Sequence, residues 1–266
     1  MTEANQVLLT RREGAVLVLS NNNVAARNAL SPEFYAAVSA ALKSAATDPT
    51  VGAVVLTGEG GHFCAGGDLR QLAKRRELPV QERRAKREGL HDLIRSVRDF
   101  PKPVIAAVEG AAAGAGLSLA LACDMLVAAK NAVFSVAYVK VGLTPDGGAT
   151  AFLAEFVSRQ VLTELCLTGE RISGERLHAL GPVNRLSEPG QAQADAVALA
   201  AQVATGPDQA MALIKDLCRQ APRNTLEEQL ELEAQYMVRS QESEESREGI
   251  GAFLEKRAAD FTKLRG

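Results

Sequence analysis

The sequence predicts an α/β protein built on a largely parallel sheet, and three observations predict it. Short apolar runs alternate with stretches of helical periodicity from the N-terminus to about residue 190. Glycine-rich turns follow two of those runs directly and lead back toward helix. Beyond residue 190 the strand pattern stops and only helical segments follow.

The elements can be justified in order. "QVLLTRREGAVLVLS" reads as a hairpin, with Glu13 and Gly14 marking the turn. "SPEFYAAVSAALKSAA" has Ser31 to cap a helix and Pro32 at its first position, and Asp48-Pro49 stops it. "VGAVVLTG" is a buried strand, followed by a long polar helix over about 80–99. Then come the strand "PVIAAV", the turn "EGAAAGAG", a helix running through Cys123 and the strand "DMLVAA". Ala149, Phe152, Leu153 and Phe156 mark a buried helix after Asp146. Four helical segments then reach the end, and their apolar stripes exceed what a thin appendage can bury alone. The expected division is a mixed core over 1–200 and a helical region over 201–266 that packs between subunits.

Composition excludes several classes. A net charge of −2 over 266 residues argues against a nucleic-acid partner. The four cysteines form no CxxC pair and the three histidines no HExxH, so no metal site is expected. The opening "MTEANQVLLT" lacks a basic stretch ahead of an apolar core, so no leader is read there. The longest apolar run, 103–129, carries Glu109, Ser118 and Asp124 and reads as core rather than membrane span. The expectation is a reduced, cytoplasmic protein with no membrane association.

Two glycine-rich turns carry the chemistry. "GEGGHFCAGGDL" (58–69) and "EGAAAGAGLSLALACD" (109–124) each follow a strand. A dinucleotide-binding loop fails on detail: Leu119 stands where the third glycine belongs, and Lys130 where an acid would follow. Neither turn contains GK[ST], which excludes a P-loop. Two such turns can aim backbone N–H groups at one spot and so form an oxyanion hole, or can simply pack a helix closely on a strand. In "VKVGLTPDGGAT" (139–150), Asp146 stands alone before two glycines. On that window by itself it reads as a helix N-cap.

The stretches "AARNALS" (25–31), "TGEGGHFCAGGDL" (57–69), "PKPVIAAVEGAAAGAGLSLALACDM" (101–125), "LTGERISGERLHALGPVNRL" (167–186) and "EGIGAFLEKRAADF" (248–261) occur in the order and spacing of one family. By them the chain resembles the crotonase (enoyl-CoA hydratase/isomerase) family over essentially its whole length. The resemblance implies a crotonase-type spiral of ββα units with a C-terminal helical trimerisation region, assembled as a homotrimer or a dimer of trimers. It implies an acyl-CoA thioester as substrate and no further cofactor. The thioester oxygen would be held by the backbone N–H groups of Gly67 and Ala115. CoA-binding backbone positions fall near Ala26, Ala65 and Asp68, although Asp68 equally suits a helix cap.

The family's hydratases orient water with two glutamates, and the matching positions here are Ser118 and Tyr138. Asp146 matches the position of the single acid in ring-epoxide phenylacetyl-CoA isomerases, whose acid-bearing loop "KVGLTPDGG" resembles. The resemblance therefore favours an isomerase with Asp146 as general acid/base, since one carboxylate suffices to move a proton between two carbons. Three alternatives stay open: an enoyl-CoA hydratase, a hydrolytic aryl-CoA dehalogenase using Asp146 and His91, and a non-catalytic acyl-CoA-binding member. His91 itself lies at the edge of the buried stripe Leu90, Ile94, Val97 and reads equally as an ordinary helix histidine. The segment 70–98 holds ten Lys/Arg against four Asp/Glu. Such a run is commonly a solvated face, yet Arg70, Lys74 and Arg75 are candidates for the CoA phosphates, as are Lys256 and Lys263 from a neighbouring subunit.

Overall fold

The computed structural model describes residues 6–265; the first five, on which the reading of no leader partly rests, lie outside them. Strands β1 (Leu8–Glu13) and β2 (Val16–Asn21) form the predicted hairpin, with Gly14 at φ +59° turning the chain and Glu13 opposite Val16. Helix α1 (Pro32–Thr47) begins where the sequence places it, the Ser31 hydroxyl accepting from the Phe34 N–H at 3.3 Å. Then follow β3 (Ala53–Gly58), α2 (Leu69–Arg75) and α3 (Val80–Arg98). Next come β4 (Val104–Val108), β5 (Ala111–Ala113) and α4 (Ala115–Leu121), then β6 (Met125–Ala129) and β7 (Val133–Ser135). A 3-10 turn, Ala137–Val141, leads to α5 (Ala149–Ala154), α6 (Arg159–Thr168), β8 (Ile172–Ser173), α7 (Gly174–Ala179), β9 (Arg185–Ser187) and α8 (Ala192–Val203).

The strands make two sheets that the chain visits alternately. The larger has the order β1-β2-β3-β4-β6-β9, parallel throughout except for the hairpin. The smaller, β5-β7-β8, is continued by single bridges from Cys64 to Ala112 and from Leu30 to Gly67. Each turn of the chain thus passes from a large-sheet strand to a small-sheet strand or bridge and on to a helix, as in β4–β5–α4. This is the expected spiral of ββα units. The run Ala111–Ala113, read from sequence as part of a turn, is a strand because Gly110 (φ +54°) aims it at β7. Between the sheets and their helices Phe34, Leu56, Phe63, Ile105 and Phe134 are almost fully buried. Ala192, Ala196 and Ala200 let α8 lie directly on β2, β3, β4 and β6, and Glu109 accepts from the Ala192 N–H at 2.8 Å to cap it.

Helices α9 (Asp208–Gln220), α10 (Leu226–Gln241) and α11 (Glu244–Leu254) complete the chain. Glu245 of α11 accepts from the Gln209 and Ala210 N–H groups (2.9 and 3.0 Å) and caps α9. Lys215 fastens α9 to the core: its ammonium lies 2.6 Å from Asp124 and donates to the Phe100 and Lys102 carbonyls. Burial pushes the Asp124 carboxyl above its ordinary value, and Lys215 opposes that shift. Lys215→Met leaves Asp124 without its cation, held among the described residues only by the Val104 N–H, and two carbonyls without their donor. A loss of about 3 kcal/mol in stability is expected, measured by urea unfolding. Phe253 and Leu254 of α11 and Leu226 of α10 stay largely exposed (83, 73 and 71%).

Candidate active site

The two glycine-rich turns meet through the small sheet. Cys64 N–H donates to the Ala111 carbonyl at 2.8 Å, and Ala113 N–H returns a bond to the Cys64 carbonyl at 3.0 Å. Gly66 sits between them at φ +98°, where a Cβ would lie 2.7 Å from the Ala113 carbonyl oxygen. Only glycine fits both that backbone and that space. Gly66→Ala is therefore expected to cost about 2–3 kcal/mol of stability from backbone strain and clash, read from chemical denaturation. Gly114 (φ +52°, ψ −126°) makes the corresponding bend on the second turn and delivers Ala115 as the first residue of α4.

The result is a pair of free donors. Gly67 and Ala115 both line one cavity of about 240 Å³. Among the described residues neither of their N–H groups donates to a protein acceptor. Two free amide donors on the wall of one cavity suit an oxygen that gains negative charge.

Asp146 enters the same cavity. Its Oδ1 accepts from the Tyr138 hydroxyl at 2.8 Å, and its Oδ2 lies 2.5 Å from Nη1 of Arg87. The Ser118 hydroxyl donates to the Asp146 main-chain oxygen at 3.0 Å, which fixes the loop from behind. The N-cap reading of Asp146 is corrected here: the cap position of α5 is Gly148, with no side-chain cap. Gly147 (φ +62°) and Gly148 (φ +85°) turn the chain so that the carboxylate faces the cavity rather than the helix. Helix α5 also ends at Ala154, which leaves Phe156 exposed instead of buried. Burial, with the Asp146 carboxylate beside it, holds the Tyr138 phenol far above its ordinary pKa, so it stays a proton donor at neutral pH. Ser118 and Tyr138 supply no carboxylate.

The remaining candidates divide. Ala65 and Asp68 line the cavity. Ala65 N–H is tied to the Arg27 carbonyl at 3.0 Å, and Asp68 caps α2 through bonds from the Arg70 and Gln71 N–H groups. Arg75 is on the cavity wall, whereas Arg70 and Lys74 are exposed on α2. Ala26 is exposed in the 3-10 turn Val24–Ala26, beside the Arg27 carbonyl that holds Ala65. His91 lies off the cavity wall, with Nδ1 3.6 Å from Glu88, on a half-exposed edge of α3. Lys256 is exposed just after α11, and Lys263 pairs with Glu248 at 3.0 Å.

Two wall residues escaped the sequence reading, Arg87 and Tyr35. A signal existed for both. Arg87 precedes Leu90, Ile94 and Val97 at helical spacing, which puts a guanidinium in line with the buried stripe of α3. Tyr35 stands three residues before the buried Val38 on α1.

Comparison with known proteins shows the family. The family model described as "Enoyl-CoA hydratase/isomerase" matches residues 11–264. The 1,2-epoxyphenylacetyl-CoA isomerase of Escherichia coli K12 is 36% identical over 97% of this chain and 98% of its own length. The 2,3-dehydroadipyl-CoA hydratase of the same organism is 34% identical, covering 96% and 98%. The crystal structure of an enoyl-CoA hydratase from Polaromonas sp. JS666 superposes with a TM-score of 0.93 at 48% identity, covering 95% and 98% of the two chains.

Proposed function

The chain belongs to the enoyl-CoA hydratase/isomerase family, and from that premise we propose that it is an acyl-CoA isomerase with Asp146 as its single general acid/base. One observation carries the reading. Of the two carboxylates on the cavity wall, Asp68 caps α2 through Oδ1, and Asp146 is held by two other wall residues, Oδ1 by the Tyr138 hydroxyl and Oδ2 by Arg87. The positions that match the water-activating glutamates of hydratases are Ser118 and Tyr138.

The chemistry follows from that arrangement. The thioester oxygen of a β,γ-unsaturated acyl-CoA is held by the Gly67 and Ala115 N–H groups. Asp146 removes a proton from C2, and the electron pair moves into the enolate, whose oxygen the two amides stabilise. The electrons return through C2 and C3 while Asp146 delivers its proton to C4. The double bond has moved from C3–C4 to C2–C3, and the carboxylate is regenerated. Tyr138 orients Asp146 throughout. No cofactor is needed beyond the acyl-CoA substrate. Residues 1–200 act as the acyl-CoA-binding core. The exposed apolar faces of 201–266 form the contacts of a homotrimer or a dimer of trimers, and the expected location is cytoplasmic. Among the described residues no helix is long and apolar enough to cross a membrane.

Hydration is the second reading, favoured by the hydratases among the similar proteins. Dehalogenation loses ground because His91 lies off the cavity wall. The test places trans-3-hexenoyl-CoA and crotonyl-CoA side by side with the purified protein. Migration of the double bond without appreciable water addition is expected; hydration of crotonyl-CoA as the main activity would overturn the isomerase reading. Failure to bind or turn over any acyl-CoA, aryl and halogenated ones included, would overturn the family chemistry as well.

A further inference from the structure

The acyl cavity carries more cationic groups than a hydrocarbon chain needs, two guanidinium groups beside the carboxylates of Asp68 and Asp146. Arg75 from α2 and Arg87 from α3 both line it, amid Leu30, Leu72, Leu90 and Leu143. Arg87 is engaged by Asp146. Arg75 has no carboxylate within 4 Å among the described residues. Tyr35 adds a hydroxyl on the same wall, with no hydrogen-bond partner among the described residues. Burial pushes its phenol up to about 12, so it remains a donor, and Arg75, Asp146 and Arg87 are all close enough to act on it.

For a plain alkyl group this arrangement is a liability. The Arg75 guanidinium and the Tyr35 phenol beside a hydrocarbon would lose hydration without gaining a partner. A planar carboxylate reverses the balance, since a guanidinium binds one through two parallel hydrogen bonds. We infer that Arg87 and Arg75, with the Tyr35 hydroxyl, form a second anion site in the acyl cavity that selects acyl-CoA thioesters carrying a carboxylate on the acyl group. The inference rests on the acyl-CoA reading of this cavity and names the substrate class it takes. It also gives the Arg87–Asp146 pair a role. In the ligand-free protein the Asp146 carboxylate fills the anion site, and a substrate carboxylate takes its place at Arg87. Asp146 Oδ2 is then released toward the carbon that loses its proton. A substrate without that carboxylate leaves Arg87 on Asp146.

Saturated ligands test this independently of turnover. Calorimetry compares succinyl-, glutaryl- and adipoyl-CoA with butyryl-, pentanoyl- and hexanoyl-CoA, matched in chain length, on the whole protein. At least one carboxylated ligand is expected to bind about tenfold or more tighter than its plain counterpart. Arg87→Gln should remove most of that preference, Arg75→Gln part of it, and Arg87→Lys should keep a fraction. Equal binding of the two series would overturn the inference and leave the isomerase reading intact. So would a preference that survives both glutamine variants unchanged. Binding of neither series would overturn the inference together with the acyl-CoA reading. A carboxylate preference in a protein that hydrates rather than isomerises would uphold the inference and overturn only the isomerase. Where a glutamine variant fails to fold, equal binding of the two series by the wild type still overturns the inference, and the fraction kept by Arg87→Lys still ties a preference to this site.

Discussion

Replacing Asp146 with Asn is expected to slow double-bond migration by about a thousandfold, while binding of a saturated acyl-CoA changes only a few-fold. The substitution keeps the size and one carbonyl oxygen of the side chain, so the Tyr138 hydroxyl retains an acceptor at the Oδ1 position. What it removes is the ability to hold and return a proton. The amide also presents hydrogens where Arg87 expects an oxygen, but the Arg87 side chain is 40% exposed and can turn to water. The stability change should stay within about 1 kcal/mol. Single-turnover rates with trans-3-hexenoyl-CoA, beside hexanoyl-CoA affinity and thermal unfolding, separate the loss of chemistry from a loss of structure. Parallel falls in rate and affinity would give Asp146 a binding role instead.

Ala115→Pro is expected to lower the rate by about 10²–10³, the usual effect of removing one oxyanion donor. Proline is well tolerated at the first position of a helix, where the N–H has no intrahelical partner, and Ala115 holds that position in α4. Gly114 before it has a non-helical backbone, which spares the usual clash ahead of proline. The variant therefore deletes a hydrogen-bond donor while keeping the helix. Turnover should fall with a melting temperature near that of the wild type. A variant that melts normally and turns over normally would mean that the Ala115 N–H does not hold the thioester oxygen.

Both positions could be read from sequence, for different reasons. The two glycine-rich turns stand out by residue type, and the family resemblance singles out Gly67 and Ala115 within them. Asp146 drew attention as a lone acid before two glycines. From the window alone, though, a cap and a catalytic acid look alike. Only the left-handed turns at Gly147 and Gly148 show which way the side chain goes. Helices α1 and α3 were legible from their long helical periodicity, with the ends of α1 marked by Ser31, Pro32 and Asp48, and the hairpin, β3 and β4 from short apolar runs bounded by turn residues. Strands β5, β7 and β8 were not, since two or three residues carry no periodicity and their pairing is set by chain segments far away in sequence. Arg87 was hidden inside a basic run. Its count suggests a solvated face, and only its place in line with the buried stripe of α3 marks it as different from Arg83, Arg84 and Lys86, which are exposed.

A label-transfer experiment tests the central claim, that one carboxylate carries the proton out and back, most directly. trans-3-Hexenoyl-CoA deuterated at C2 is converted in ordinary water under single-turnover conditions, and the product is analysed for deuterium at C4. A single acid/base shuttle predicts that a measurable share of the C2 label reappears at C4 and that Asp146→Asn abolishes the transfer. A C4 hydrogen drawn wholly from water, with turnover persisting in Asp146→Asn, would contradict it.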